Sequence, residues 1–305
     1  MGKTLRFGAD TNRDRPETKV LGVGGAGRNI LSSLMDDRSV KNMSFFEVGG
    51  KRRFNDCSFI GVDKKEIRES YDSVVNIGNL HSNHSEEKLK CSTNSGDLFY
   101  LLSGLGGETG SWTTPVCSRI ASKKGFTMVF VAMPFRNEGG SRYTLAKESK
   151  QTISQNCDIL AVFENSRLLK MSPHLPMTKA FEVMNSIIML PIIDFNSVMT
   201  TGDIPSLREF CNGVDEFRIG AGYGKGRKRG KRASKEAYRS PWLDDPKRYE
   251  TILTVVTSGK GTAELEAEDA LQVIRKRSPN ANIMWGLKKD PGIGDRTRVT
   301  LLAGI

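Results

Sequence analysis

The chain has 305 residues, and its 46 Lys and Arg outnumber its 35 Asp and Glu, which gives a net charge of +11. This length is enough for about two domains with buried cores that need no disulfide or metal. The sequence contains no apolar stretch of the roughly 18 residues that a membrane-spanning helix needs. Its polar N-terminus also lacks the apolar segment of a secretory signal. We therefore expect a cytoplasmic protein with no transmembrane segment.

The cysteines and histidines exclude several kinds of site. The five cysteines are odd in number and never spaced as CxxC, and the three histidines lie apart from them in the sequence. Reduced thiols are the expected state of such cysteines. The sequence therefore predicts no metal-binding residues and no disulfide-stabilised scaffold.

The N-terminal half alternates apolar runs with glycine-rich turns and helical patterns. The runs predict strands at 19–23, 57–62, 97–103, 126–133 and 159–163. Pro115 is expected in the first turn of a helix that ends near Gly125, because proline is tolerated there. Strands that alternate with helices indicate an α/β fold with a parallel sheet.

The C-terminal half begins with a long apolar segment. Residues 180–199 are apolar nearly all round, which is typical of a buried helix that Pro191 would kink or end. After a break near 200–202, the patterns predict a smaller α/β domain with strands at 251–256, 282–285 and 297–302 and a helix at 263–277. The expected division is an N-terminal domain at 1–178, a central core helix at 179–200 and a C-terminal domain at 201–305.

Two glycine-rich turns follow strands in the N-terminal half. Gly22, Gly24 and Gly27 fit the G-x-G-x-x-G fingerprint between a strand and a helix, and a second glycine-rich turn occupies 104–111. Glycine allows backbone N–H groups to approach a phosphate at a helix N-terminus. A Rossmann dehydrogenase needs an acidic residue about 20 positions further on. The candidate, Asp63, lies 36 residues after Gly27, so an NAD(P)-dependent oxidoreductase is a distant alternative.

The second turn contains the segment GGETGSW at residues 106–112, and the first contains VLGVGGAGRN at residues 20–29. The segment 106–112 resembles the phosphate signature G-G-G-T-G-[ST]-G of the tubulin/FtsZ superfamily, and residues 20–29 are similar to the first loop of FtsZ. Further segments match in the same order to the end of the chain: Pro134-Phe135 with Glu138, Gly139 and Arg142; Asn165 with Leu168-Leu169; Ala180-Phe181 with Asn185; 240–244; and 298–300 with Gly304-Ile305. The resemblance implies a divergent FtsZ-type protein with an N-terminal GTP-binding domain and a C-terminal activation or assembly domain.

The resemblance also implies that GTP or GDP, with or without Mg²⁺, binds between the two turns. Backbone N–H groups and the hydroxyls of Thr109 and Ser111 would hold the phosphates, and Glu138 and Arg142 the ribose and phosphate region. Phe181 would lie against the base, while three asparagines would contact guanine edges. The expected nucleotide-binding residues are Gly24, Gly25, Ala26, Asn29, Gly106, Gly107, Thr109, Gly110, Ser111, Glu138, Arg142, Asn165, Phe181 and Asn185.

Each of these positions also has a purely structural interpretation. Glycines at such turns often serve packing alone, and Glu138 and Arg142 are spaced as a surface i,i+4 pair. Asn165 could cap a helix, and Phe181 could belong to the core. Only the joint order of the segments favours the functional interpretation.

Several positions depart from the family pattern. Glu108 replaces the third glycine, and at about 4 Å a carboxylate and a phosphate would repel by about 4 kcal/mol at an effective dielectric of 20. Trp112 replaces a small residue, and Ser186 stands where FtsZ has a guanine-binding aspartate. Residues 76–90 are polar, and we expect them to be mobile, in place of a Gly/Ala-rich loop. Base selectivity and hydrolysis are therefore expected to be weakened.

The family hydrolyses GTP when subunits stack head to tail and acidic residues reach the next subunit's γ-phosphate. Asp194 and Asp203 both fit this motif, and Asp203 suits the expected helix length better, so it is the predicted catalytic residue. In either alignment the second acid is lost, to Ser197 or Ser206. The expected enzyme is therefore a GTPase of reduced activity.

The expected partner is the protein itself, in a head-to-tail homopolymer. The alternative is a non-hydrolysing module that caps or copolymerises with an FtsZ paralogue. A basic segment at 222–239, which includes Lys225–Arg232, carries +7 of the net charge in what is expected to be a glycine-spaced loop. This segment is either a solvated loop or a weak contact for nucleic acid or anionic lipid.

Overall fold

The computed structural model describes residues 2–9, 14–37, 40, 42–75, 83–167, 176–261 and 263–305. The chain divides into two compact units, one formed by Pro16–Ser186 and the other by Met1–Arg15 with Ile187–Ile305. The sequence places the first residues with the N-terminal domain. In the structure they belong with the C-terminal elements, because the first strand, β1 (Thr4–Arg6), pairs with a strand of that unit.

The unit Pro16–Ser186 alternates strands with helices. Its elements are β2 (Thr18–Val23), α1 (Gly24–Met35), β3 (Met43–Gly49), β4 (Ser58–Gly61), α2 (Lys64–Val75), α3 (His84–Ser92), β5 (Leu98–Gly104), α4 (Glu108–Ala121), β6 (Phe126–Met133), α5 (Gly140–Ser154) and β7 (Ile159–Glu164). Its strands run parallel in the order β7–β6–β5–β2–β3–β4. The predicted parallel α/β sheet is confirmed.

The apolar runs explain this sheet. Every residue of β2 and of β6 is buried, as expected for strands covered on both faces. Alternate side chains such as Leu21, Leu101 and Val129 enter one core cluster. Val23 and Ser103 are in register at the ends of β2 and β5, so the two glycine turns that follow lie side by side.

Two prolines lie inside helices, one of them deeper than the sequence predicts. Helix α4 begins at Glu108, directly after the glycine turn, so Pro115 is in its interior and the prediction of a first-turn proline is wrong. Pro191 lies inside α6 (Met177–Val198), which continues to Val198 instead of ending at the proline. An interior proline removes one backbone hydrogen bond, and the burial of Pro115 and Pro191 shows that packing retains both helices.

The apolar part of α6 has the length of a membrane span. Of the described helices, only this one, over Phe181–Val198, is long and apolar enough to cross a membrane by length and composition. Half of that segment is buried inside the structure, which is also typical of a core helix, so the indication of a span is weak.

The other unit is a smaller α/β arrangement, as predicted. After α6, which contains the boundary between the units, come α7 (Ile204–Cys211), β8 (Phe217–Lys225), α8 (Arg229–Ala237), β9 (Thr251–Ser258), α9 (Ala263–Arg277), β10 (Asn282–Lys289) and β11 (Arg296–Gly304). Its strands follow the order β1–β10–β9–β11–β8, with β11 antiparallel to both neighbours. Side chains of α8, α9 and these strands form a separate core cluster.

The basic segment 222–239 is not a loop, and this prediction is wrong. It forms the end of β8 and helix α8. A Cβ on Gly222 would lie 2.4 Å from the Ala233 carbonyl oxygen, and one on Gly224 would lie 1.9 Å from that of Arg229. The glycines therefore allow a helix to pack directly on a strand, which the sequence pattern alone cannot distinguish from loop flexibility.

Several of the basic side chains in this segment are paired within the unit. Arg229 is mostly buried and forms an ion pair with Glu266, and Lys231 lies 3.2 Å from Asp269. These pairs reduce the positive charge that α8 presents to an anionic partner.

The segment 76–90 is described only in part. Residues 76–82 lie outside the described residues, as do Leu168 and Leu169 of the sequence match. The remainder is not a mobile segment, because His84–Ser92 forms α3 with Asn83 as its N-cap.

Candidate functional site: a cleft between two glycine turns

A cleft of about 380 Å³ opens at the carboxyl edge of the parallel sheet in the unit Pro16–Ser186. Its volume lies in the range of small-molecule sites, about 300–1,000 Å³. The lining residues come from the turns after β2, β4, β5, β6 and β7 and from α5 and α6. They are Gly25, Ala26, Lys64, Gly104, Leu105, Gly107, Glu108, Thr109, Gly110, Ala132, Pro134, Glu138, Arg142, Asn165, Phe181 and Met184.

The first turn combines glycines of two kinds. Gly24 has a φ of +69°, and a Cβ there would lie 3.2 Å from the backbone nitrogen of Gly110, so the two turns are in contact. Gly27 packs against β5, where a Cβ would lie 2.0 Å from the Leu102 carbonyl oxygen. A Cβ on Gly25, in contrast, would have no described atom within 4 Å. Gly27 therefore serves packing, whereas Gly25 leaves space in the cleft.

The second turn is held by its own hydrogen bond. Gly106 has a φ of +94°, and its N–H donates to the Ser111 Oγ over 2.9 Å. Ser111 is fully buried, so its hydroxyl serves the turn and does not line the cleft. A Cβ on Gly107 would have no described atom within 4 Å, as at Gly25.

Both turns lead directly into helices whose N-termini face the cleft. The N-cap residues are Val23 for α1 and Gly107 for α4, and neither supplies a side-chain hydrogen bond. The first N–H groups of a helix have no partner within the helix, and the helix dipole makes this end attractive to anions. Within the described residues, the cleft therefore combines two uncapped helix N-termini, an arrangement suited to phosphate.

Glu108 does not fill the cleft. Its side chain is 53% exposed, and its Oε2 lies 2.6 Å from the Nζ of Lys64. The expected repulsion of a phosphate is therefore reduced by a neighbouring cation. Lys64 is the first residue of α2 and was not identified from the sequence, where only its place directly after a strand end could have drawn attention to it.

Glu138 and Arg142 form the pair that their spacing predicts and also line the cleft. Glu138 accepts the Phe135 N–H through Oε1 and the Arg142 Nη1 through Oε2, each over 2.8 Å. The structural and functional interpretations of these residues are therefore compatible.

Asn165 brings an unpaired polar atom to the cleft. The residue is 6% exposed, and its Oδ1 has no hydrogen-bond partner among the described residues. A buried polar atom without a partner costs roughly 1–3 kcal/mol. A ligand that donates a hydrogen bond at this position would remove that cost.

Phe181 offers an apolar surface in the same cleft. It is 40% exposed, and its ring meets that of Phe135 edge-on, with centroids 5.9 Å apart. The alternative interpretation of Phe181 as a core residue is therefore wrong. An exposed aromatic face beside polar groups is suited to a planar ligand.

Five of the predicted residues do not line the cleft. Gly24, Gly106 and Ser111 shape the turns instead. Asn29 is exposed on α1, where its Oδ1 accepts from Arg53 Nη1 over 3.3 Å, and Asn185 is half-buried on α6. The nine that do line it are Gly25, Ala26, Gly107, Thr109, Gly110, Glu138, Arg142, Asn165 and Phe181.

Comparisons with known proteins identify the family. The model of the Tubulin/FtsZ family GTPase domain matches residues 72–173, and that of the FtsZ family C-terminal domain matches residues 216–305. This chain belongs to the tubulin/FtsZ superfamily. Cell division protein FtsZ 1 of Archaeoglobus fulgidus is 27% identical over 302 residues, which cover 93% of this chain and 80% of that protein. FtsZ 1 of Methanocaldococcus jannaschii is 29% identical over 297 residues, with 93% and 81% covered.

Solved structures of the superfamily have the same fold. The empty FtsZ dimer from M. jannaschii superposes with a TM-score of 0.81 at 25% identity, covering 95% of this chain and 88% of that one. CetZ2 from Haloferax volcanii, solved as a GTPγS-bound protofilament, gives a TM-score of 0.71 at 15% identity and covers 94% and 92%. The second comparison shows a shared fold alone.

The two candidate acids of the superfamily's catalytic motif have different surroundings. Asp194 is fully buried in its unit, where Arg298 and Thr300 donate to its carboxylate, with the Thr300 Oγ1 2.7 Å from Oδ2. Thr257 also donates to it, over 3.3 Å. A carboxylate enclosed in this way holds β9 and β11 to α6 and is not exposed to solvent.

Asp203, the preferred candidate, is partly exposed at the end of the turn Thr201–Asp203. Its Oδ2 accepts from the Thr200 N–H, the Thr200 hydroxyl and the Gly8 N–H, at 2.8, 2.7 and 3.1 Å. It therefore fixes its own turn while remaining accessible from solvent.

Asp63 and Ser186 have local roles. Asp63 Oδ1 accepts from the backbone N–H groups of Lys65 and Glu66, at 2.8 and 3.1 Å, and thereby caps α2. It does not line the cleft, so the acidic residue that a dinucleotide-dependent oxidoreductase needs to hold the ribose has no candidate in Asp63. Ser186 Oγ donates to the Glu182 carbonyl over 2.9 Å and likewise does not line the cleft.

Arg28 and Glu47 support the first turn, and the sequence did not single them out. Arg28 donates through Nε to the Gly24 carbonyl over 3.1 Å and through Nη1 to Glu47 Oε1 over 2.8 Å. Burial raises the pKa of Glu47, but hydrogen bonds from the N–H groups of Arg53 and Phe54 and from Arg28 outweigh it, and the net pKa is lowered. Glu47 therefore stays ionised and holds Arg28 against the turn.

Proposed function

We propose that this chain binds a guanine nucleotide, GTP or GDP, in the cleft and assembles head to tail into protofilaments in the cytoplasm. The observation that carries the proposal is the open cleft over two uncapped helix N-termini, with Glu108 paired to Lys64 at its edge. The FtsZ relatives are cell division proteins, and the CetZ2 structure is a nucleotide-bound protofilament. The FtsZ relatives support a cytoskeletal role in cell division, and the shared fold is compatible with assembly into a filament.

The lining residues suggest how the nucleotide is held. Backbone N–H groups of the two turns and the Thr109 hydroxyl would bind phosphate oxygens. The unpaired Oδ1 of Asn165 would accept a hydrogen bond from the N–H groups of guanine, and Phe181 would pack against the base. Arg142 would lie near the ribose and phosphates.

Bound Mg²⁺ would neutralise phosphate charge. Among the described residues there is no group of three or more His, Cys, Asp or Glu that could hold a metal ion. A magnesium ion would therefore depend mainly on phosphate and water oxygens, which is its usual mode with nucleotides.

We propose that Asp203 orients the attacking water at the γ-phosphate of the next subunit and that hydrolysis is slow. One carboxylate replaces the two acids of the family motif, and its Oδ2 already accepts three hydrogen bonds. The same observation favours a second candidate function, a non-hydrolysing module that caps or copolymerises with an FtsZ paralogue.

The experiment is to denature the purified protein and identify the released nucleotide by mass spectrometry. We expect GDP or GTP, and 90° light scattering of the nucleotide-free protein should rise on addition of GTP but not of ATP. Release of NAD(P) would contradict the guanine site and support an oxidoreductase. If the protein binds GTP tightly but its light scattering does not change, even with excess GTP, self-assembly is contradicted. The regulatory module is then the favoured function.

A further inference from the structure

The charges in the cleft pose a problem for phosphate binding. Four charged side chains line it, and they form two ion pairs: Lys64 Nζ lies 2.6 Å from Glu108 Oε2, and Arg142 Nη1 lies 2.8 Å from Glu138 Oε2. The described lining therefore has no net charge, whereas the phosphates of a nucleotide carry several negative charges. The helix N-termini attract phosphate, and a direct contact between one of the two cations and the ligand would add to that attraction.

The two pairs differ in how firmly they are held. Glu138 is fixed at both oxygens, because Oε1 accepts the Phe135 N–H while Oε2 contacts Arg142. Glu108 contacts Lys64 through Oε2, and both of these side chains are more than half exposed. Exposed Lys–Glu pairs contribute little to stability, and the ammonium group of lysine moves on a flexible stem. Lys64 is therefore the cation that is released most easily.

The position of Glu108 makes its carboxylate a competitor of phosphate. It is the first residue of α4, directly after the N-cap Gly107. A carboxylate and a phosphate are both attracted by the positive end of a helix. Lys64, at the start of α2, places its ammonium group beside this same end.

We propose that Lys64 is a phosphate-binding residue and that Glu108 holds it at the cleft until the phosphates of a nucleotide replace the carboxylate. This inference rests on the proposed function and names the polyphosphate, rather than the base, as the recognised group. Lys64 favours binding, and the charge of Glu108 opposes it. Replacing the two side chains therefore changes affinity in opposite directions.

The test is isothermal titration of the nucleotide-free, full-length protein with GTP, GDP and guanosine, which lacks phosphate. Lys64→Gln should weaken GTP and GDP binding by about tenfold or more, as expected for the loss of a charged hydrogen bond, and leave guanosine binding unchanged. Glu108→Gln should tighten GTP binding. Lys65→Gln is the matched control, because Lys65 is exposed beside Lys64 and does not line the cleft.

The outcomes separate this inference from the function on which it rests. If the wild-type protein binds GTP, and both Lys64→Gln and Glu108→Gln bind it with unchanged affinity, the role of Lys64 is refuted and the nucleotide site stands. If the wild-type protein binds neither GTP, GDP nor guanosine, the proposed function fails and the inference with it. Tighter binding by Glu108→Gln cannot result from misfolding, so this variant tests the competition between carboxylate and phosphate even if Lys64→Gln is unstable.

Discussion

The two glycines Gly25 and Gly27 lie two residues apart and should respond in opposite ways to the same substitution. A Cβ at Gly27 would lie 2.0 Å from the Leu102 carbonyl oxygen, so alanine there forces α1 away from β5. Such overpacking costs about 1–3 kcal/mol or more. At Gly25 a Cβ has no described atom within 4 Å, and the residue lies in the first turn of α1. Alanine should therefore leave the stability unchanged or raise it by up to about 1 kcal/mol.

GTP binding should be weakened by the substitution that leaves stability intact. The methyl group of Gly25→Ala enters the cleft, where the phosphates would approach, and should weaken GTP binding by about tenfold or more. Gly27→Ala should lower the melting temperature, by about 2–4 °C for each kcal/mol in a unit of this size.

The assay combines thermal denaturation of the nucleotide-free proteins, followed by circular dichroism, with titration of GTP. Gly107→Ala is a second test of the same argument, since a Cβ there also has no described atom within 4 Å. The reasoning is refuted if Gly25→Ala binds GTP as the wild type does, or if Gly27→Ala melts at the wild-type temperature.

Four further predictions concern single side chains. Asn165→Leu should keep or raise stability, because it removes a buried amide oxygen that has no described partner. The same substitution should weaken GTP binding, and equal losses of stability and of GTP affinity would contradict the role of Asn165 in binding. Asp194→Asn should lower the free energy of unfolding in urea by about 3–5 kcal/mol, because it leaves buried Arg298 without its counter-charge, and an unchanged midpoint would exclude that role. Folding lowers the pKa of Glu47, so the contribution of this carboxylate to stability is complete above its unfolded pKa and disappears as the pH falls through the folded value. Glu47→Gln should therefore lose less stability than the wild type as the pH is lowered in acid-unfolding measurements. Asp203→Asn should reduce phosphate release from GTP to the background rate while light scattering still reports assembly, and a wild-type rate would remove Asp203 from the mechanism.

Much of the fold follows from local patterns in the sequence. The apolar runs at 126–133 and 159–163 give strands within one residue of their observed ends, because a strand buried on both faces requires an uninterrupted apolar stretch. The helix predicted at 263–277 has those same bounds. The site could be located in outline for a related reason: glycine turns after parallel strands meet at one edge of the sheet.

The basic segment 222–239 shows why a local pattern can be misinterpreted. Gly222 and Gly224 are consistent both with a flexible loop and with close packing of a helix on a strand, and only the presence of α8 over β8 distinguishes the two. Likewise, Asn29 follows the first turn closely in sequence, but its position on α1 directs its side chain to Arg53.

The sequence alone determined most strands of the two units, the family resemblance and the two turns that face the cleft, because each depends on residues close together along the chain. Only the tertiary structure decided which acids are available. Glu108 leaves the cleft open because its carboxylate meets a lysine 44 positions away, and Asp194 is unavailable because it pairs with an arginine 104 positions away. The direction and charge environment of a side chain depend on such distant partners, which no local pattern records.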